Sequence, residues 1–287
     1  MTRENWLPVE ELRRAVTTAL VEDLGSGDAT TEALIPGDVR APAVVRCKAP
    51  GVVAGVPVGT VVFHSVDHSL VVHAVAGEGD LVAAGDVVMS VEGKAGSILN
   101  AERVALNFLQ HMSGIATETR RFVDRVAGTN AMITDTRKTA PGLRALEKYA
   151  VRVGGGWNHR YCLGDAVLIK DNHLAVLRAE GLSLGQAVER ARKNAPPTLK
   201  VEIEVESIAE AEEALKAGAD IVMVDNMCVE DMRRVVELSA GRALIEASGG
   251  ITLENVLEVA RTGVDLISVG ALTHSARALD MSLSVEV

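Results

Sequence analysis

The chain has 287 residues, 48% of them hydrophobic, and a formal net charge of −10 at pH 7. That length holds one large α/β barrel or two modest domains, and the apolar content excludes a disordered chain. An acidic balance with only 2% aromatic residues speaks against nucleic-acid binding, which needs a basic footprint or stacking platforms.

The opening MTRENWLPVEELRRAV is polar and lacks the apolar stretch of a signal peptide, so export is not expected. No apolar run reaches the roughly 18 residues of a membrane span. Cys47, Cys162 and Cys228 are odd in number, widely spaced and in no C-x-x-C pair, which favours reduced thiols and a cytoplasmic location. Residues 1 to about 30 predict helix, with Gly25 and Gly27 as stop signals and Asp28-Ala29-Thr30-Thr31 as a cap. From 43 to 95 the Val-rich runs AVVRCK, GVVAG, VVFHSV, LVVHAVA and DVVMSVEG predict strands of a mainly antiparallel sheet. His64, His68 and His73 fall among them without the cysteine or carboxylate spacing of a metal site. A long helix is predicted from about Asn100 to Ala127, with Leu106, Leu109, Met112 and Ile115 at helical spacing and Gly114 as a point of kinking.

Beyond residue 130, short apolar runs alternate with amphipathic stretches. Strands are predicted at AMITD (131–135), AVLIK (166–170), KVEIEVE (200–206), IVMVD (221–225), ALIEA (243–247) and LISVG (266–270). Strand–helix alternation implies right-handed βαβ units and a parallel sheet. The kindred units KAGADIVMVDN and RTGVDLISVGA favour a barrel over an open sheet. Glu202, Glu204 and Glu206 share one face, and an interior face is a costly place for three carboxylates. At least one of them should meet a cation or a metal near the rim.

Barrel sites lie at the carboxyl ends of the strands. Here those ends carry Asp135-Thr136-Arg137-Lys138, Lys170-Asp171-Asn172, Asp225-Asn226, Ser248-Gly249-Gly250 and Gly270-Ala271. Between Arg137 and Lys170 stand Arg137, Lys138, Arg144, Lys148, Arg152, Arg160 and Lys170, opposed only by Glu147 and Asp165. The charges of LRALEKYAVRV read as a solvated helix face, whereas Arg137, Lys138, His159, Arg160 and Lys170 suggest a pocket for a small, highly charged anion. Charged hydrogen bonds of ~1.5–3 kcal/mol each could hold it against hydration. Glu202 and Asp225 offer oxygen ligands suited to Mg²⁺. The glycines of SGG and VGA, each followed by a helical pattern, fit either a phosphate site or ordinary turn chemistry. Gly154-Gly155-Gly156 fits a flexible loop or an amide nest equally well. No P-loop and no G-x-G-x-x-G fingerprint is present.

DTRKTAPGLRALEKYAVRVGGGWNHR, followed by LIKDNH, resembles the quinolinate phosphoribosyltransferase (carboxylating nicotinate-nucleotide pyrophosphorylase) family. The likeness runs nearly end to end, through EDLGSGDATT, AERVALNFLQHMSGIAT, VEIEVE, MVDN, EASGG and ISVGAL. It implies an N-terminal α/β sandwich domain, residues 1–115 joined by the tail 275–287, and an irregular, incomplete α/β barrel of about seven strands over 116–274. It also implies a homodimer, open to higher assembly, in which Arg103 of one subunit reaches the partner's site. By the same resemblance Arg137, His159, Arg160 and Lys170 surround the carboxylates of quinolinate, Thr136 belongs to the substrate-binding set, and Lys138 lies near the pyrophosphate or the reacting centre. Glu202 and Asp225 hold the ribose and Mg²⁺ of phosphoribosyl pyrophosphate, while Ala247, Ser248, Gly249, Ser268, Val269 and Gly270 cradle its 5-phosphate. The implied products are nicotinate mononucleotide, CO₂ and pyrophosphate, in NAD biosynthesis. Competing readings are a nicotinate phosphoribosyltransferase, a Schiff-base lyase using Lys170, and a non-catalytic relative in metal-oxyanion uptake. Nucleic acid and membrane are not expected as partners.

Overall fold

The computed structural model describes residues 7–286, so the first residues of the predicted N-terminal helix lie outside it. The chain forms two compact units: 1–120 with 138–155 and 271–287, and 121–137 with 156–270. The segment 138–155, expected within the second domain, thus belongs to the first unit.

The first unit begins with α1 (Val9–Leu24) and α2 (Ala29–Leu34). Asp28 caps α2, its Oδ1 accepting from the backbone N–H of Thr30 and of Thr31 at 3.0 Å each. Next come β1 (Arg40–Cys47), β2 (Gly51–Val52), α3 (Val56–Val66), β3 (Val71–Ala74), β4 (Leu81–Val82), β5 (Val87–Lys94) and α4 (Ala95–Arg125). GVVAG yields only the two-residue β2, paired with β4. The run VVFHSV, predicted as a strand, is instead the second half of α3. Gly55 enters this helix at φ +94°, Pro57 sits in its first turn, and Glu78 Oε1 accepts from the backbone N–H of Val56 at 2.7 Å. A carboxylate at orphaned N–H groups steadies a helix start, and Val58, Val62 and Phe63 then bury one face completely. Local β-propensity loses to that burial. Along α4, Leu106, Leu109, Met112 and Ile115 form the expected buried stripe, each no more than 2% exposed.

The chain continues through β6 (Met132–Thr134), α5 (Arg144–Val153), β7 (Val167–Ile169), α6 (Asp171–Ala179), α7 (Leu184–Asn194), β8 (Val201–Val205), α8 (Ile208–Lys216), β9 (Ile221–Asp225), α9 (Val229–Ser239), β10 (Leu244–Ser248), α10 (Val256–Ala260) and β11 (Leu266–Ser268). All six predicted strands are present, in one parallel sheet of order β6-β11-β10-β9-β8-β7. Trp157 adds a single parallel bridge to Thr134 on β6. Arg160 Nη1 then donates to the carbonyl of Ala166, just before β7, at 3.3 Å, so the two edges of the sheet approach each other. The helix expected after SGG is shortened to α10, which begins only at Val256.

Helix α5 belongs to the first unit and departs from its reading as a solvated face. Leu146, Tyr149, Ala150, Val151 and Val153 are buried, and so are Glu147 and Lys148. Glu147 faces His111 Nε2 at 2.9 Å and accepts from the backbone N–H of Ala140 at 3.2 Å. The first of the three consecutive glycines is there for space: a Cβ on Gly154 would stand 2.7 Å from Thr119 Cβ. The last elements are α11 (Ala271–His274) and β12 (Met281–Val285). Strand β12 pairs antiparallel with β1, completing the sheet β12-β1-β5-β3.

No helix among the described residues is long and apolar enough to cross a membrane. Gly114 does not interrupt α4, which runs unbroken from Ala95 to Arg125; it lets the helix meet the chain leading into β12. A Cβ there would lie 2.9 Å from Ala278 Cα, a backbone atom that cannot move alone. Gly114→Ala should lower the melting temperature by roughly 3–10 °C, as ~1–3 kcal/mol of overpacking implies. Calorimetry showing no change would contradict this close approach.

Candidate active site

Alternation along the parallel strands decides which side chains face inward. Met132, Thr134, Glu202, Ile221 and Leu266 share the wall of one cavity of about 320 Å³. The intervening Val222, Val224, Ile245, Ala247 and Ile267 are at most 1% exposed on the opposite, helix-covered face. Register then sets depth. Glu202 is level with Ile221 on β9, Glu204 with Met223, and Ser248 with Asp225.

This register separates two residues expected to share a metal. Glu202 stands four residues below the level of Asp225, or about 13 Å at ~3.3 Å per residue. The two carboxylates cannot ligate one ion. Glu204 is only two residues below that level, roughly 7 Å, and its carboxylate pairs with Lys170 Nζ. The strand pattern showed that three glutamates share a face but not which one lies near the mouth. Asp225 is half-buried, and its Oδ2 accepts from Asn226 Nδ2 at 2.7 Å.

The cations of this unit gather where β6 and the following loop end. Thr136 and Arg137 follow β6 and are half-buried, as is Arg160. Burial lowers the pKa of the Arg160 guanidinium, Glu202 opposes that, and the charge of Arg137 lowers it again. Arg137 is thus among the charges that act on the Arg160 guanidinium, together with those of Glu202 and Asp165. Lys138, the next residue along the chain, is exposed. Arg103 lies on α4 in the first unit, 61% exposed in its side chain and 3.8 Å from Glu102.

His159 was expected to meet the substrate, but both its ring nitrogens are engaged by the protein. Nδ1 accepts from the backbone N–H of Arg160 at 2.9 Å. Nε2 lies 3.3 Å from Glu202 Oε2 and 3.4 Å from Glu246 Oε2. Sequence reasoning passed over Glu246, the inward residue of EASGG, because an acid inside an apolar strand looks like one more rim ligand. Burial lowers the His159 pKa, whereas the hydrogen bonds and charges of Glu202 and Glu246 raise it. Burial raises the pKa of Glu202 in turn. A doubly protonated ring could not accept at Nδ1. The contact with Arg160 therefore leaves Nδ1 unprotonated and puts the ring proton on Nε2, facing the two carboxylates.

On β10 and β11 the residues divide by facing. Ala247 and Val269 are fully or nearly fully buried on the helix side, so only their main chains can meet a ligand. Gly249 and Gly250 adopt φ +84° and +61°, and a Cβ on Gly249 would lie within 2.8 Å of Asn226 Nδ2. Glycine is required there by both conformation and space. Ser268 Oγ lies 3.5 Å from the carbonyl of Ala247, and Gly270 is half-buried just before α11.

Residues 28–113 match the family model for the N-terminal domain of quinolinate phosphoribosyl transferase, and residues 115–284 match that for its C-terminal domain. The chain is 44% identical over 282 residues to the nicotinate-nucleotide pyrophosphorylase [carboxylating] of Mycobacterium leprae, covering 95% of this chain and 96% of that one. It is 40% identical over 275 residues to the probable enzyme of that name from Bacillus subtilis, covering 96% and 93%. The crystal structure of NadC from Streptococcus pyogenes superposes with a TM-score of 0.92 at 42% identity, covering 98% of this chain and 99% of that one. A human nicotinic acid phosphoribosyltransferase shares the fold alone, at 13% identity and a TM-score of 0.58 over 95% of this chain and 74% of that one. With both domain models matched in order and relatives aligned nearly end to end, the chain belongs to the quinolinate phosphoribosyltransferase family.

Proposed function

We propose that the chain is a carboxylating nicotinate-nucleotide pyrophosphorylase, converting quinolinate and phosphoribosyl pyrophosphate to nicotinate mononucleotide, CO₂ and pyrophosphate in NAD biosynthesis. The observation that carries this reading is the placement of Arg137 just after β6 and of Arg160 on the segment that Asn158 and His159 tie to Asp135 at the end of the same strand. Two guanidinium forks near one strand end suit a planar substrate with two neighbouring carboxylates, because each fork can bind one carboxylate bidentately. Thr136 adds a hydroxyl, and Lys170 adds a third cation once it leaves Glu204. Its side chain is 44% exposed and has room to do so. Arg103 of the partner subunit completes this set in a homodimer.

Fixing both carboxylates aims the pyridine nitrogen at the anomeric carbon of the sugar. That nitrogen forms the new C–N bond as the bond to pyrophosphate breaks, through an oxocarbenium-like state. Lys138 offsets charge on the departing pyrophosphate. Main-chain N–H groups at 247–249 and 268–270 hold the 5-phosphate, with Gly249 and Gly250 allowing close approach. Glu204 and Asp225 offer hard oxygen donors that suit Mg²⁺, whose role when bound is to neutralise pyrophosphate. Once the ring nitrogen is quaternary, the C–C bond to the adjacent carboxylate breaks, CO₂ leaves, and water protonates the ring carbon.

A Schiff-base lyase needs an amine at Lys170, activated by an apolar or cationic surround. Lys170 Nζ instead pairs with the carboxylate of Glu204. Nicotinate, with one carboxylate, can engage only one guanidinium fork bidentately. Cytoplasmic location accords with the exposed thiols of Cys162 and Cys228.

Steady-state assays should show CO₂ release and turnover with quinolinate and little with nicotinate; equal turnover of both acids would reverse the choice. Arg137→Ala and Arg160→Ala should each weaken quinolinate binding about 10- to 100-fold by calorimetry, the loss of one charged contact, and spare the sugar pyrophosphate. Chelation of Mg²⁺ should abolish turnover and leave quinolinate binding intact. Glu204→Gln should raise the KM for the sugar pyrophosphate, and an unchanged value would remove Glu204 from its site. Mixing inactive Arg103→Ala and Lys138→Ala chains should restore part of the activity through hybrid dimers, and no rescue after subunit exchange would refute a shared site.

A further inference from the structure

Glu202 and Glu246 are 1% and 0% exposed. They rise from β8 and β10 toward one point, the Nε2 of His159. The donor atoms of the three side chains lie within 4.8 Å of one another. Glu202 Oε1 and both carboxylate oxygens of Glu246 accept no hydrogen bond. Burying such groups is costly, so the cluster calls for a function.

One nitrogen and two carboxylates could in principle bind a transition metal. The tautomer argues against it. A metal on Nε2 would leave the ring proton on Nδ1, facing the N–H of Arg160 that now donates to it. With the proton on Nε2, the ring N–H faces the two carboxylates and Nδ1 accepts from Arg160.

We propose that Glu202 and Glu246 are positioning residues for substrate recognition, holding the ring proton of His159 on Nε2 so that Nδ1 anchors the main chain of Arg160. The inference rests on the proposed role of Arg160 toward quinolinate. A second clamp acts on the same stretch. Asp135, fully buried after β6, accepts from the backbone N–H of His159 at 2.9 Å and from Asn158 Nδ2 at 2.6 Å. Residues 158–160 are thus tied at both side chain and main chain, and Arg160 leaves them with its guanidinium already braced on Ala166. A guanidinium fixed in this way loses less freedom when it binds a carboxylate. The carboxylates act through His159 and do not touch substrate.

The test is the isosteric variant Glu246→Gln. Its amide can donate to Nε2, which moves the ring proton to Nδ1 and sets it against Arg160. We expect the KM and Kd for quinolinate to rise about tenfold, with the KM for the sugar pyrophosphate and kcat nearly unchanged. Nitrogen-15 spectra of histidine-labelled enzyme should show His159 of the native chain protonated at Nε2 and unprotonated at Nδ1, and the reverse in the variant. A native ring protonated at Nδ1 between pH 6 and 8 overturns the proposal, even if the variant fails to fold. A variant that melts lower but keeps its quinolinate KM also overturns it, since the carboxylates would then serve stability alone. If the native chain releases no CO₂ from quinolinate, the functional reading fails first, and the spectra still decide the tautomer.

Discussion

The inner face of the parallel sheet must hold ionised groups where such sheets ordinarily hold methyl groups. Parallel barrels fill their interiors with branched aliphatic side chains in layers. Here the layers contain Glu202, Glu204 and Glu246 beside Met132, Ile221, Met223 and Leu266. Each acid needs a partner, and the partners dictate the rest. Glu204 pairs with Lys170. Glu202 and Glu246 converge on His159 and thereby fix the loop that carries Arg160. The cationic mouth is built on an anionic floor, so the whole inner face keeps charge in balance while the mouth remains able to attract an acid.

That balance also shows why neighbouring residues on one strand take different tasks. Glu202 and Glu204 differ by a single step of the two-residue period. One step is about 7 Å of depth, the difference between a sealed layer and the zone that solvent and ligand enter. Burial makes Glu202 hold a proton more strongly, while Glu204 keeps a flexible cation opposite it.

Much of this could be read directly from the residues. Short apolar runs alternating with amphipathic helical stretches located all six parallel strands, and the glycine and aspartate punctuation after them marked the rim. Asp28 announced itself as a cap because its partners, Thr30 and Thr31, are two and three residues away. What failed depended on distant partners. Helix α3 needs Glu78 at its first N–H groups, and nothing within VVFHSV signals that. The charges of α5 looked solvated because His111, which faces Glu147, comes from a different helix. Family resemblance pointed to VEIEVE as a unit, but only strand register separated the glutamate at depth from the one near the mouth. The inward turn of His159 was hidden for the same reason, since both of its carboxylates arrive from other strands.

The pairing of β12 with β1 has a bearing on biosynthesis. β1 is made early, and the strand on its far edge emerges from the ribosome only after all of the parallel sheet has been translated. Until then β1 offers an open row of N–H and C=O groups, the kind of edge that recruits strands from other chains. Nascent copies on one messenger are exposed to this hazard for nearly the full time of synthesis, which favours a chaperone that shields the early half until the last strand arrives.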